Sequence, residues 1–293
     1  MRKIYYGIKA LRLFSLPLSL SGIVMGALLA NSFGYFSWLL FGLALLTAAA
    51  LHLTCNLAND VGDYQSGNDS FESIGYETML ISGKLSVREV VIMIGILTAI
   101  AVVTGSVFIY LAFKDIFSTG SLIMFLTGLL AVLAAIFYTI GKKPYGYRAL
   151  GDLAVFLFFG ITAVAGTFFL LTKSLPAAIF LPAVSMGFLI TGVVNVNNIR
   201  DMENDRKYRK TVPILIGERN AKHYHAVLVL LPFILMSVYN ILQSKPLPSY
   251  LFLCLLPVAV YHVIKVYQKK GLALNKAMGG LILITVLFVF SAI

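Results

Sequence analysis

Residues 36–63 read FSWLLFGLALLTAAALHLTCNLANDVGD, and no Asp, Glu, Lys or Arg precedes Asp60 in this stretch. About 20 consecutive apolar residues are enough to carry an α-helix across the hydrocarbon core of a membrane. The run therefore predicts a membrane-spanning helix over residues 36–58 that ends in asparagines and aspartates. Ionisable side chains in a membrane helix are costly unless they face a cavity or a partner, so this stretch bears on function as well as on fold.

The same apolar character continues along the chain. Of the 293 residues, 59% are hydrophobic and 12% are charged, against roughly 25% charged residues in soluble domains. One soluble core could not bury so much apolar side chain, because surface scaling leaves too much exposed. The sequence predicts an all-α membrane protein of about nine transmembrane helices, with a central cavity open to the cytoplasmic side. The nine helices are expected near residues 12–31, 36–58, 88–112, 119–140, 150–172, 176–197, 223–243, 248–268 and 272–292.

The charges predict the orientation of these helices. With the N-terminus inside the cell, 20 of the 23 Lys and Arg residues fall on the cytoplasmic side, and Lys114, Lys173 and Lys245 fall on the other. Such a bias is the usual signal of membrane topology, so we expect a multi-pass protein of the cell membrane and no nucleic-acid partner. Eleven of the twelve acids lie on the same side, with Asp115 opposite. We therefore expect the functional site to face the cytoplasm.

A faint repeat suggests how the single domain, residues 1–293, is built. Asn56 and Asn59 recur 139 residues later as Asn195 and Asn198. The simplest interpretation is four helices, a similar four, and a ninth. Membrane proteins often form their sites between such repeats.

Two motifs at the ends of the second and sixth predicted helices carry polar side chains at intervals of one to four residues. They consist of Asn56, Asn59, Asp60 and Asp63 in the first motif and Asn195, Asn198, Asp201 and Asp205 in the second. If each helix continues through its motif, these side chains form a stripe along one face. Two stripes that face one cavity would bring four carboxylates into a small volume, where they repel one another.

A divalent cation relieves that repulsion. The set has oxygen ligands and no Cys or His spacing typical of zinc, so Mg²⁺ is the predicted cofactor. The predicted metal ligands, which are also predicted catalytic residues, are Asp60, Asp63, Asp201 and Asp205. Basic residues lie beside the acids: Arg200, Arg206, Lys210, Lys142 and Lys143. Acids, a metal and cations together are typical of a diphosphate site.

Simpler interpretations exist for each feature taken alone. The acids could be solvated residues of a loop, and Arg209 with Lys210 is a topology signal whether or not it binds phosphate. A lone His52 is more typical of a hydrogen-bonded core residue than of a ligand. A transporter with a cation site would spread its charges along a pathway to both faces, whereas here nearly all the acids lie at one face.

Three stretches resemble the UbiA-type intramembrane prenyltransferases. They are the first motif, Asn56 to Asp63 with Gly67 and Asp69; the run from Tyr138 through Pro144 and Tyr147 to Asp152 and Gly160; and the second motif, Asn195 to Arg206, continuing to Ala226. The resemblance covers about residues 11–226. It is greatest to the members that prenylate 1,4-dihydroxy-2-naphthoate in menaquinone biosynthesis.

The resemblance implies a reaction and a role for each matched residue. A polyprenyl chain would pass from its diphosphate to an aromatic acceptor, within membrane lipid, with Mg²⁺ held by the four aspartates. Tyr138 would stand near the reacting allylic carbon. The residues implied to line the site or hold diphosphate are Asn56, Asn59, Lys143, Asn198, Arg200, Arg206 and Lys210.

The chain departs from the family pattern in its cations. Phe14 stands where a basic residue is usual, residues 70–78 lack the usual Lys and Arg, and the stretch after Lys210 lacks an arginine. These departures leave two alternatives open: a related prenyltransferase with another aromatic acceptor, and an inactive paralogue. Prenyl length and a general base do not follow from the sequence.

Overall fold

A computed structural model describes residues 2–67 and 78–293. Within these ranges, nine helices are long and apolar enough to cross a membrane, as the sequence predicts. They are α1 (Arg2–Ser32), α2 (Trp38–Ser66), α3 (Val87–Phe113), α4 (Thr119–Phe137), α5 (Gly151–Thr172), α6 (Ala177–Arg200), α7 (Val212–Leu242), α8 (Leu247–Gln268) and α9 (Gly271–Ser291). The prediction of an all-α, multi-pass membrane protein is confirmed.

The outer surface of the bundle is apolar. Large side chains such as Trp38, Phe117 and Leu247 are about four-fifths exposed. Exposed apolar side chains on this scale are stable when lipid, rather than water, surrounds the helices. The main core lies among α1, α5, α6, α7, α8 and α9, whereas α4 lies at the edge, with only Ser121 buried in Thr119–Phe137.

The first helix starts earlier than residue 12 and has a break. The segment Arg2–Ala10 is helical, Arg12 adopts a left-handed conformation with φ 52°, and a second helical segment runs over Leu16–Ser32. A non-glycine residue at positive φ is uncommon and marks a fixed turn of the chain. This turn positions Arg12 just before the second helical segment of α1.

The fifth helix changes its geometry in the middle. Residues Gly151–Val155 are α-helical, Phe156–Gly166 form a π-helix, and Thr167–Thr172 return to α-helix. A Cβ atom on Gly160 would lie 2.2 Å from Cα of Gly187, so α5 and α6 touch backbone to backbone there. Small residues permit such close approach of membrane helices. A π-helical stretch is a common mark of a functional site, and this one borders the cavity described below.

The two acidic motifs end differently. The helix α2 continues through the first motif to Ser66, as expected. The expectation of one continuous second stripe is wrong, because α6 ends at Arg200 and Met202–Asp205 form a separate turn. Residues 200–210 are almost all polar or charged, so they offer a continuing helix little apolar surface to pack against the bundle.

Candidate active site

A cavity of about 760 Å³ connects the two motifs with the interior of the bundle. Its polar end is lined by residues of α2, α6 and the turn after α6, including Asn59, Asp63, Asp201 and Asp205. Its deeper part is lined by apolar side chains of α1 to α5, such as Phe108 and Leu170. One cavity therefore offers a charged end and an apolar chamber, which suits a ligand with a polar head and a lipid tail.

The carboxylate of Asp63 is held by partners from two later parts of the chain. The Tyr147 hydroxyl donates a hydrogen bond to Asp63 Oδ1 at 2.6 Å. The Arg209 guanidinium lies 3.9 Å from the same oxygen and 2.9 Å from Asp205 Oδ2. Arg209 is nearly buried and lines the cavity, so it links the first motif to the second.

The other acid of the first motif points elsewhere. Asp60 is buried and forms an ion pair with Arg12 of α1. Arg12 lines the cavity, whereas Asp60 does not. The predicted role of Asp60 as a metal ligand stays a prediction, and the structure places an arginine against it.

The second motif is bound to the last helix. Arg200 donates to both oxygens of Asp201, at 2.7 and 2.6 Å, and also to the side-chain oxygens of Asn197 at 2.8 Å and Asn275 of α9 at 2.6 Å. All three guanidinium nitrogens of Arg200 are thereby used. No motif predicts that α9 lies at the site, because the motifs that carry the family resemblance end near residue 226.

The predicted diphosphate cations divide into two groups. Arg200 lines the cavity. The side chains of Lys143, Arg206 and Lys210 are exposed and do not line it. Lys210 acts through its backbone, since its N–H donates to Tyr147 O at 3.0 Å and its carbonyl accepts from Ala149 N at 2.9 Å. These three side chains therefore lie outside the lining of the cavity.

Arg209 and Tyr147 are site residues that the sequence analysis did not single out. Together with Lys210, Arg209 is a topology signal whether or not it binds phosphate, although its position four residues after Asp205 is also the spacing of an ion pair on one helical turn. Tyr147 lies in a stretch that carries the family resemblance but received no role. Their positions depend on the pairing of the loop after α4 with the loop after α6, between Arg148 and Lys210.

The three predicted site asparagines have different surroundings. Asn59 lines the cavity, and its Oδ1 is buried without a hydrogen-bond partner among residues 2–67 and 78–293. The amide nitrogen of Asn198 lies 3.4 Å from Asp152 Oδ1. Asn56 donates towards Leu11 O at 3.2 Å and is discussed below. Asp69 and the departures at 70–77 lie outside the described residues.

Tyr138 lies at the cavity wall, as its implied role requires. The loop after α4 wraps around it: Tyr145 packs edge-on at 5.4 Å between ring centroids, and a Cβ on Gly151 would lie 2.6 Å from the Tyr138 hydroxyl. Burial raises the pKa of the Tyr138 hydroxyl well above its usual range. The side chain is therefore a neutral phenol at physiological pH, with its ring available to the cavity.

The electrostatics of the acids agree with a cation site. Burial raises the pKa of Asp205, Arg209 lowers it, and the charges of Asp201 and Asp63 raise it further. Among the described residues, three arginines line the cavity together with three aspartates of the two motifs, Asp63, Asp201 and Asp205, so their formal charges balance. A diphosphate adds more negative charge, so it has to bring cations with it.

The donor set fits magnesium bound together with a phosphate ligand. In the described part of the chain, no three His, Cys, Asp or Glu side chains are grouped closely enough to hold an ion by themselves. Mg²⁺ does not need such a cage, because it is usually bound by one or two carboxylates plus substrate phosphates. Asp63, Asp201 and Asp205, with the unpartnered Oδ1 of Asn59, supply oxygens for that arrangement.

The fold and the site of the described residues define an intramembrane protein with an amphipathic cavity, and known proteins are similar to this chain. A model of the UbiA prenyltransferase family matches residues 19–289. The chain is 36% identical over 260 residues to 1,4-dihydroxy-2-naphthoate octaprenyltransferase of Haemophilus influenzae, covering 86% of this chain and 82% of that protein. It is 34% identical over 289 residues to the protein of that name from Escherichia coli (strain K12), covering 96% and 93%. The chain belongs to the UbiA prenyltransferase family.

Solved structures share the fold. The apo structure of a UbiA homolog from Aeropyrum pernix K1 aligns with a TM-score of 0.73 at 16% identity, covering 96% of this chain and 97% of that chain. A UbiA homolog from Archaeoglobus fulgidus bound to GPP and Mg²⁺ aligns with a TM-score of 0.63 at 18% identity, covering 97% and 99%. The family resemblance and the nine-helix bundle are thereby confirmed.

Proposed function

We propose that this protein transfers a polyprenyl chain from polyprenyl diphosphate to 1,4-dihydroxy-2-naphthoate. The allylic C–O bond breaks, a C–C bond forms to the ring, and pyrophosphate and CO₂ leave, which gives demethylmenaquinol, the reduced form of demethylmenaquinone. The observation that supports this reaction best is the single cavity that joins three aspartates and three arginines to an apolar chamber. The names of the two bacterial relatives support the choice of acceptor.

The residues of the chain would act on the two ends of the diphosphate substrate. Magnesium, when bound, supplies positive charge that stabilises the leaving pyrophosphate, and Asp63, Asp201, Asp205 and Asn59 would hold it. Arg209 would add a fixed positive charge beside the leaving group, in a site that excludes water and strengthens such interactions. Tyr138 would present its ring to the positive charge that develops on the allylic carbon.

The apolar chamber would serve the rest of the substrate. A carbocation reacts with water unless water is kept away, and the walls formed by α1 to α5 provide that exclusion. The prenyl tail would lie against the same walls. We infer from the charge bias that the polar end, together with the N-terminus, faces the cytoplasm, where a diphosphate substrate is available.

Turnover by the purified protein tests this proposal. The protein in detergent receives Mg²⁺, a long-chain polyprenyl diphosphate and 1,4-dihydroxy-2-naphthoate, and mass spectrometry follows the product. We expect a prenylated, decarboxylated naphthoquinol that disappears in Asp205→Asn and persists in Glu203→Gln, an exposed residue of the same turn. Consumption of the diphosphate with another phenol only would refute the acceptor, and no consumption with any phenol would refute the reaction.

A further inference from the structure

A second polar cluster lies in the wall of the cavity, deeper than the acids. It consists of Ser15 of α1 and His52 and Asn56 of α2, all of which line the cavity. His52 precedes Asp63 by eleven residues, which places it about 16 Å further along the helix axis. The space between them is long enough for a diphosphate and the reacting carbon.

The hydrogen bonds of this cluster converge on one nitrogen. His52 Nε2 lies 2.8 Å from Ser15 Oγ and 3.2 Å from Asn56 Nδ2. An amide NH₂ group can only donate, so Nε2 is the unprotonated, accepting nitrogen of a neutral imidazole. The Nδ1 atom is buried and has no hydrogen-bond partner within the described ranges.

The hydrogens that Asn56 and Ser15 can donate are fewer than the acceptor atoms within their reach. Asn56 Nδ2 carries two hydrogens and lies within reach of three acceptors, Leu11 O, Ser15 Oγ and His52 Nε2, at 3.2, 3.3 and 3.2 Å. The single Ser15 hydrogen is shared between Arg12 O at 2.9 Å and His52 Nε2. An additional O–H donor from a ligand would satisfy the acceptor that these hydrogens leave over.

Ser19 and Thr47, two other polar side chains that line the cavity, are satisfied by their own helices. Ser19 donates to Leu16 O at 2.9 Å and Thr47 donates to Leu43 O at 2.8 Å. The three cavity arginines are engaged with carboxylates. His52 also faces the edge-on ring of Phe159 at 5.8 Å, so an aromatic ligand here meets an aromatic wall as well as a hydrogen-bond acceptor.

We propose that His52, supported by Ser15 and Asn56, binds a ring hydroxyl of the aromatic acceptor and orients the ring towards the allylic carbon. This inference rests on the proposed function. The hydroxyl donates to Nε2, which leaves the two Asn56 Nδ2 hydrogens for Leu11 O and Ser15 Oγ. His52 is thus a specificity-determining residue for a hydroxylated aromatic ring, separate from the carboxylates that hold the diphosphate.

Three variants test the contact. His52→Leu removes the acceptor atom, His52→Gln can return a polar atom near the position of Nε2, and Thr54→Val is the matched control. Thr54 is two residues further along the same helix, fully buried, outside the cavity lining and without a partner for its hydroxyl in the residues described. Each variant is checked for a monodisperse gel-filtration peak before assay.

The experiment compares the KM for the aromatic acceptor with the KM for polyprenyl diphosphate in each variant. In His52→Leu we expect the KM for 1,4-dihydroxy-2-naphthoate to rise about tenfold, the loss of one hydrogen bond, with the KM for polyprenyl diphosphate unchanged. In His52→Gln we expect most of the affinity for the naphthoate to return, and in Thr54→Val we expect no change in its KM. A monomethyl ether of the naphthoate should bind the wild type more weakly than the naphthoate does. In His52→Leu the ether and the naphthoate should bind equally, because the same contact is already lost. The proposal would be overturned if His52→Leu raised the KM for both substrates equally. It would also be overturned if the losses of affinity from the ether and from His52→Leu multiplied.

A binding measurement separates this inference from the proposed reaction. The naphthoate alone should raise the Tm of the wild type and of Thr54→Val, and should raise that of His52→Leu much less at equal concentration. If the wild type shows this shift but no turnover, the reaction fails and the contact stands. If turnover occurs while His52→Leu keeps a wild-type shift and KM, the contact fails and the reaction stands.

Discussion

The two acidic motifs begin with the same asparagine spacing and end in different surroundings. The first motif stays on a continuous helix. Its Asp60 does not line the cavity and is paired with Arg12, which does. The second leaves its helix after Arg200, and both of its aspartates line the cavity. Asn56 and Asn59 recur 139 residues later, but the same interval puts Ile199 and Met202 opposite Asp60 and Asp63.

This difference shows that the repeat concerns the helices rather than the chemistry. The asparagines fall where two helices end at the same side of the bundle, whereas each acid has partners of its own. Arg209 is shared, because it contacts Asp63 of one motif and Asp205 of the other. The site is therefore joined by a basic residue that belongs to neither predicted stripe.

The largest effect is expected from removal of that shared residue. Arg209→Met leaves Asp63 and Asp205 without their common cation, and we expect kcat to fall by about 100-fold or more, as for loss of a preorganised charge-stabilising donor. Arg206→Met is the matched control, because Arg206 is exposed and three residues away. Equal losses in both variants would show that Arg209 has no special place between the motifs.

The next effect is expected from loss of the ion pair between Asp60 of the first motif and Arg12. We expect a smaller loss of activity and a clear loss of stability. In Asp60→Asn, the Arg12 guanidinium loses its carboxylate, and a broken buried pair costs roughly 3–5 kcal/mol, less here because Arg12 is 24% exposed. The Tm should fall by several degrees, with about tenfold loss of kcat because Arg12 lines the cavity.

The double variant Arg12→Met/Asp60→Leu sharpens this test. Replacing both partners by apolar groups removes both charges of the buried pair, so the double variant should be more stable than Asp60→Asn. A double variant with a Tm below that of Asp60→Asn would contradict the ion-pair account of Asp60.

A weaker effect should follow from the hydroxyl that orients Asp63. Tyr147→Phe removes a 2.6 Å hydrogen bond to a carboxylate, and we expect kcat to fall by roughly tenfold. Tyr208→Phe, an exposed tyrosine near the second motif, serves as the control. If the two variants are alike, the loop after α4 does not hold the first motif in its working geometry.

The smallest effects are expected from Lys143 and Lys210, the two lysines to which the family resemblance gives a role in holding diphosphate. Lys143→Ala and Lys210→Ala should change kcat/KM for polyprenyl diphosphate by less than about threefold, as for exposed charges. Their measured rates bear directly on the comparison, because a loss near that of Arg209→Met would mean that the loops close over the substrate and bring these side chains in.

Much of the fold could be predicted because membrane helices follow from hydropathy alone. The nine spans and the continuation of α2 through its motif came from local sequence. The end of α6 at Arg200 and the π-helix of α5 did not, because they depend on packing between helices. The contact of α5 with α6 at Gly160 and Gly187 has no signal in a single sequence.

The site could be predicted in part for a similar reason. Residues with helical spacing, such as Asn59, Asp63, Asp201 and Asp205, do line one cavity. The partners of these residues come from distant segments. Arg12 reaches Asp60 through the turn in α1, and Tyr147 reaches Asp63 through loop pairing, which spacing along one helix cannot show.

The central claim is that both motifs bind one metal–diphosphate group. Electron paramagnetic resonance with Mn²⁺ as the probe tests it most directly, in the presence of an unreactive thio-analogue of polyprenyl diphosphate. The account predicts that the wild type binds Mn²⁺ in an analogue-dependent manner and that Asp63→Asn and Asp205→Asn each abolish this binding. Retention of full analogue-dependent binding by either variant would contradict the claim, since the two motifs would then not share one site.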